Sequence, residues 1–217
     1  MKNLLFALVL TFTLSGFAQE AMQEGVITSK QSMSSDSEQM QAQLAMIGDM
    51  KTTTYFKGDK TRSETSNVMS GNTTTILNGE TKEMLMFLEN QKLYASASIE
   101  ADAETMKNFQ ITKGDETKTV LGYECQEYNV SVEKDGATVV MDIYVTDKIA
   151  AMNQQVAQMG SAIKGFPLYM KIDVNQSGMN MTITNEVTEI KKETVSEDKF
   201  NMTPPEGYKK TDNLTGM

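Results

Sequence analysis

Between Gly25 and Lys191, apolar residues recur at every second position in one short segment after another, with turn-forming residues between the segments. This constrains the fold more than any other feature, because period-two alternation marks strands with one buried face. Val139, Met141, Ile143 and Val145 share a face in Thr138–Val145, and Leu168, Met170, Ile172 and Val174 do so in Pro167–Asn175. Met179, Met181, Ile183 and Val187 continue the pattern in Gly178–Lys191. Met50–Lys57 (MKTTTYFK) is rich in threonine and aromatics, as strands are. Further strands are predicted at Gly25–Met33, Lys60–Val68, Thr73–Leu77, Glu83–Leu88, Lys92–Ala97, Phe109–Lys113, Lys118–Leu121 and Tyr123–Val132. Turns are predicted at Gly58–Asp59, Glu89–Gln91, Lys134–Gly136 and Gln176–Ser177. Asn78–Gly79 predicts a two-residue type I′ hairpin turn, which needs positive φ.

Helical spacing is rarer. Met40, Leu44 and Ile47 predict a helix over Asp36–Ile47, with Ser35 or Asp36 as cap. A short helix is expected at Ile99–Lys107. The clearest helical spacing lies in residues 147–164, where Ile149, Met152, Val156, Met159 and Ile163 form a stripe, Thr146 or Asp147 caps the start and Gly165 suits the stop. A sheet of roughly ten strands must curl or be covered on its apolar face. The expected fold is mainly β with a few helices: a single large curved antiparallel sheet, covered by one long helix at 147–164 and one or two short ones.

The first eighteen residues follow different rules. Lys2 is a positive start, Leu4–Leu14 is an apolar run, and Ser15–Ala18 offers small residues before Gln19. This is the pattern of a cleaved export signal. The run is too short for a bilayer, which needs ~20 apolar residues. The expected organisation is a signal at 1–18, a single domain over 19–210 and a disordered tail at 211–217, with the protein in the periplasm or outside the cell. The mature chain would carry no integral membrane segment.

Composition removes several function classes. The chain has no histidine and one cysteine, Cys125. That excludes Ser-His-Asp and Cys-His catalysis, His-ligated zinc and an internal disulfide. The simplest account of Cys125 is a small buried hydrophobe. Net charge is −9 and Arg62 is the only arginine, so nucleic acid is not an expected partner. The acidic pairs Asp102/Glu104, Asp115/Glu116 and Glu197/Asp198 lie in polar segments without ligand-loop spacing and read as solvated surface. Met84-x-Met86 and Met179-x-Met181 have the soft donors copper(I) selects, yet no histidine or second cysteine accompanies them. No metal or cofactor is therefore expected.

Methionine is in excess, 18 in all, and methionine fills irregular gaps or lines adaptable binding surfaces. The residues expected to face a cavity between sheet and helix are Met84, Met86, Met141, Ile143, Ile149, Met152, Val156, Met159, Met170, Ile172, Met179 and Met181.

One phrase, Thr119-Val-Leu-Gly-Tyr-Glu-Cys-Gln-Glu-Tyr128, is followed by a strand, the 147–164 stripe, Gly165-Phe-Pro-Leu-Tyr-Met170 and a closing Phe200…Pro205-Glu-Gly-Tyr208. With Lys60-Thr-Arg-Ser-Glu64, this order resembles a family of exported bacterial proteins, largely from Bacteroidetes, known as a domain of unknown function. More distantly it is similar to the periplasmic lipoprotein carrier LolA and its relatives. That resemblance implies an unclosed β half-barrel with helices as a lid over an apolar cavity. It carries over no catalytic residue.

The leading expectation is a non-enzymatic envelope protein that binds an apolar small molecule, a lipid or a lipoprotein. The alternative is an interaction or structural module with a filled core. Cleavage is predicted after Ala18. N-terminal sequencing of the exported protein should begin at Gln19, and an intact Met1 on envelope-located protein would refute the signal.

Overall fold

A computed structural model describes residues 20–67, 71–100, 103–134, 136–176 and 179–212. Residues 1–18, where an export signal is expected, and residues 213–217 of the tail lie outside the described residues, as do Val68, Asp102, Asp135, Ser177 and Gly178.

The protein is mainly β. Its strands are β1 (Glu24–Ser35), β2 (Met50–Lys57), β3 (Lys60–Asn67), β4 (Gly71–Asn78), β5 (Glu83–Leu88), β6 (Leu93–Ser98), β7 (Phe109–Val120), β8 (Tyr123–Lys134), β9 (Ala137–Thr146), β10 (Phe166–Gln176), β11 (Met179–Lys191) and β12 (Lys209–Lys210). They form one unclosed sheet of twelve strands, in the order β12-β6-β5-β4-β3-β2-β1-β11-β10-β9-β8-β7. The sheet is two antiparallel meanders, β1–β6 and β7–β11, joined where β1 pairs antiparallel with β11 from Val26↔Lys191 to Ser35↔Met181. A bulge between Thr28 and Ser29 shifts the register of that seam. β12 adds in parallel to β6 at the far edge.

The helices are α1 (Glu38–Ile47), α2 (Ala103–Met106) and α3 (Gln154–Gln158). Among the described residues only α1 is of appreciable length. Ser37 caps it by accepting the Met40 N–H at 3.4 Å, one or two residues beyond the caps expected from sequence. None of the described helices is long and apolar enough to cross a membrane.

The long helix expected at 147–164 does not form. Its first residues spend their backbone groups elsewhere. Met22 donates its N–H to Lys148 O at 2.8 Å and accepts from Ala150 N–H at 2.9 Å, and the Met152 N–H donates to Thr61 Oγ1 at 2.8 Å. Asn153 then caps the short α3, its Oδ1 accepting from Val156 N–H at 3.1 Å. Gly160 takes φ 67° and a 3-10 turn follows at Gly160–Ala162. Residues 147–165 are thus an irregular crossover on the inner face of the sheet. The helix expected at Ile99–Lys107 likewise shrinks to α2, and Ile99 precedes it, with its N–H donated to Lys82 O at 3.1 Å.

The Asn78–Gly79 turn also differs from expectation. The connection runs over residues 79–82, and Lys82, not Gly79, takes positive φ. Asn78 Oδ1 accepts the N–H groups of Glu80 at 3.0 Å and Thr81 at 3.2 Å, the asparagine side chain organising the turn. Gly79 is needed for space: a Cβ there would lie 2.8 Å from Met152 Sδ and 2.9 Å from Asp59 Cβ.

Apolar side chains cover both faces of the sheet. Ile27 and Phe56 of the inner face cluster with Phe166, Leu168, Val187, Cys125, Val120 and Ile149. Cys125 is fully buried, and that burial pushes its thiol up to about 11. A second cluster joins Val130, Ile143, Val145 and Met170 to Val156, Met159 and Ile163 of the crossover.

On the outer face, Ile76, Leu85 and Phe87 are covered by Met202 and Tyr208, with the Tyr208 ring edge-on to Phe87 at 5.9 Å. Ion pairs hold this C-terminal strap. Lys57 bridges Glu24 and Glu197, each at 3.3 Å, and Lys60 meets Glu197 at 3.1 Å. Glu24 also accepts the Val195 N–H at 2.7 Å, which lowers its pKa. The lone arginine belongs to the strap too, with Arg62 Nε 2.6 Å from Glu64 and its Nη1 donating to Lys199 O at 3.4 Å.

Phe56 has 0% exposure at the junction of sheet and crossover. Phe56→Ala should cost ~3–5 kcal/mol, read by urea unfolding monitored by circular dichroism.

Candidate functional site

The inner face is not uniformly apolar. Cross-strand pairing aligns Ser29, Thr52, Thr65 and Thr73 in one row across β1, β2, β3 and β4. The next row aligns Thr54, Ser63 and Thr75. Each strand here alternates, so these hydroxyls share the face that carries Phe56 and Leu77 further along. Thr52 Oγ1 lies 2.8 Å from Thr65 Oγ1, and Thr54 Oγ1 lies 3.0 Å from Ser63 Oγ. Such pairs stabilise neighbouring strands and satisfy part of each hydroxyl's bonding capacity.

Over this floor runs the crossover at residues 152–155, leaving a groove of about 250 Å³. Its walls include Gln31, Asn185 and the roof side chains Asn153, Gln154 and Gln155. Apolar contacts at its edge come from Leu77, Met152, Phe166, Pro167, Met170 and Val187. No ionisable side chain is among the lining residues.

Two interactions fix the height of the roof. The Met152 N–H is held by the fully buried Thr61 hydroxyl, and the Met152 side chain sits against Gly79 and packs on Leu77, Met84 and Ile99. The amides of Gln31, Gln154, Gln155 and Asn185 have no hydrogen-bond partner among the described residues.

The twelve residues named from sequence fall in different places. Met152 and Met170 line the groove. Ile143, Val156 and Met159 join Met170 in a filled cluster with half-buried Met141 against it, while Ile149 packs with Phe56. Met84 is buried with Leu77. Ile172 is buried beside these clusters, and Met86 and Met181 are half-buried. Met179 is 51% exposed at the open end of β11. Among the described residues no three His, Cys, Asp or Glu side chains converge as a metal site would require.

The hydroxyl floor had a sequence signal. Thr52/Thr54, Ser63/Thr65 and Thr73/Thr75 are each two apart in consecutive strands, which puts each pair on one face. Only the register shows that the three pairs face the same way and lie side by side.

These features define an open-sheet β protein with a neutral, hydroxyl-floored groove. By its match over residues 37–208, the chain belongs to the DUF4412 family, a domain of unknown function. No curated protein matches it. Two solved structures of PNGF-II are similar. The one in space group P21 has TM-score 0.50 at 16% identity, covering 89% of this chain and 32% of that one. The one in space group C2 has TM-score 0.49 at 17% identity, covering 87% and 30%. The chain thus spans about a third of PNGF-II, and the likeness is one of fold.

Thr61→Val removes the acceptor of the Met152 N–H. It should destabilise the protein by ~1–3 kcal/mol, the cost of a buried unpaired donor. Hydrogen exchange at the Met152 amide should accelerate well beyond that of β9 amides; equal acceleration at both would show that Thr61 does not hold the roof.

Proposed function

We propose that the protein is a non-enzymatic binding module of the cell envelope or its exterior, which seats a small ligand in the groove between the β1–β4 floor and the 152–155 roof. The observation that carries this reading is the set of cross-strand hydroxyl pairs, half-buried Thr52–Thr65 and Ser63 with buried Thr54, that floors the groove beside the packed clusters of the inner face. A face meant only for packing would be aliphatic at those positions, since half-buried polar groups with spare bonding capacity contribute little to a core. The lining contains no carboxylate, lysine, cysteine or histidine to act as nucleophile or proton carrier, which favours binding over chemistry.

Export rests on the signal pattern of Met1–Ala18. A role in carriage of lipid or lipoprotein rests on the order of the sequence elements alone. The geometry favours it less than a polar ligand, because most of the methionines and aliphatics named for an apolar cavity pack on one another.

The second reading, an interaction module, draws on the unclosed sheet. β12 covers β6 only at Leu93 and Tyr94, leaving Ser96–Ser98 exposed at the edge. The opposite edge strand, β7, carries a bulge between Lys113 and Thr117 and several charges, features that discourage strand addition.

Mass spectrometry of small molecules released from protein purified from its own envelope fraction tests the binding reading. A species should accompany the wild type and be absent from Thr65→Phe, whose ring fills the groove. If both variants are empty and share their binding partners, the interaction module takes its place.

A further inference from the structure

We infer that the groove takes a neutral polyhydroxylated ligand, a saccharide unit of a glycan. This deepens the binding reading above and rests on it.

No lysine, arginine, aspartate or glutamate lines the groove, so an ionic ligand would give up its hydration without meeting an opposite charge. An acyl chain meets the converse difficulty. Seated on the floor, it would strip water from Thr52, Ser63 and Thr65 and from the amides of Gln31 and Asn185 without replacing their hydrogen bonds.

Hydrogen-bond capacity then narrows the class. In the Thr52–Thr65 and Thr54–Ser63 pairs one hydroxyl donates to the other, so each pair keeps one further O–H and several lone pairs. The amides of Gln31, Asn185 and Gln154 each offer two donors and an acceptor and have no partner among the described residues. The site is therefore amphoteric, with donors and acceptors interleaved at the spacing of neighbouring strands, ~4.8 Å. Vicinal hydroxyls on a sugar ring are amphoteric in the same way.

Shape and apolar lining agree with this. Leu77, Met152 and Val187 offer a surface for the C–H face of a ring. A volume of about 250 Å³ lies just below the ~300–1,000 Å³ of drug-sized pockets, the scale of one ring with its neighbours lying outside.

The test is a neutral-glycan array, followed by titration of isotope-labelled full-length mature protein with the best-bound saccharide. Glucuronate and laurate serve as charged and apolar probes, with amide shifts read by NMR. Binding of a neutral saccharide should shift the amides of Ser29, Ser63, Thr65 and Asn153. Thr65→Val and Gln31→Leu should each weaken it at least tenfold, with unchanged spectra elsewhere showing that the fold persists. If laurate or glucuronate shifts these amides and no neutral saccharide does, the inference falls while the binding module stands. If a saccharide binds but shifts amides elsewhere, the inference also falls. If no probe of any class perturbs the groove, both readings fall.

Discussion

The pairing of β1 with β11 is the constraint on which the rest depends. Each meander is built from local hairpins, but neither alone covers its inner face. The seam from Val26↔Lys191 to Ser35↔Met181 lays them side by side and makes one continuous surface. Only then can the crossover from β9 to β10 lie across both halves. Ile149 reaches the Ile27–Phe56 cluster of the first meander, while Val156, Met159 and Ile163 stay with β8, β9 and β10 of the second. The bridge between Met22 and Ile149 fastens the start of β1 to the same crossover. The pairing that closes last in sequence thus sets the register for everything on the inner face.

The groove follows from how that crossover is anchored. It needs backbone partners because it is not a helix, and it finds them in Met22 and in Thr61. Thr61 is a polar residue in a row of otherwise apolar inner-face positions, Phe56, Leu77 and Met84, and its burial is accounted for by the Met152 N–H. From that anchor the chain passes over the hydroxyl rows without filling them. The floor is held by its own cross-strand Thr and Ser pairs and needs no aliphatic cover. The outer face is treated differently: the strap over Ile76, Leu85 and Phe87 is pinned by ion pairs and by Tyr208.

The stripe Ile149, Met152, Val156, Met159 and Ile163 shows how a correct reading of burial can accompany a wrong reading of backbone. All five side chains do reach the inner face. Helical spacing fails as a guide because the residues of the first turn make tertiary hydrogen bonds in place of the i→i−4 ladder, and a sequence does not announce those partners. Asn78–Gly79 is similar. The pair does mark a turn, but its glycine serves the approach of Met152 rather than a positive φ, a requirement set by a segment some seventy residues away.

Alternation, turn chemistry and composition in the sequence by themselves determined a mainly antiparallel β architecture, the first helix and the burial of Cys125. These are local or compositional properties, carried by spacing within a few residues. Only the tertiary structure decided that Met84, Met159 and Met170 pack in buried clusters and that threonines from three hairpin strands form one floor. Both depend on register between strands and on hydrogen bonds between distant backbone groups. A side chain's neighbours across a sheet are set by that register, and a one-residue slip would turn the same threonines to the other face.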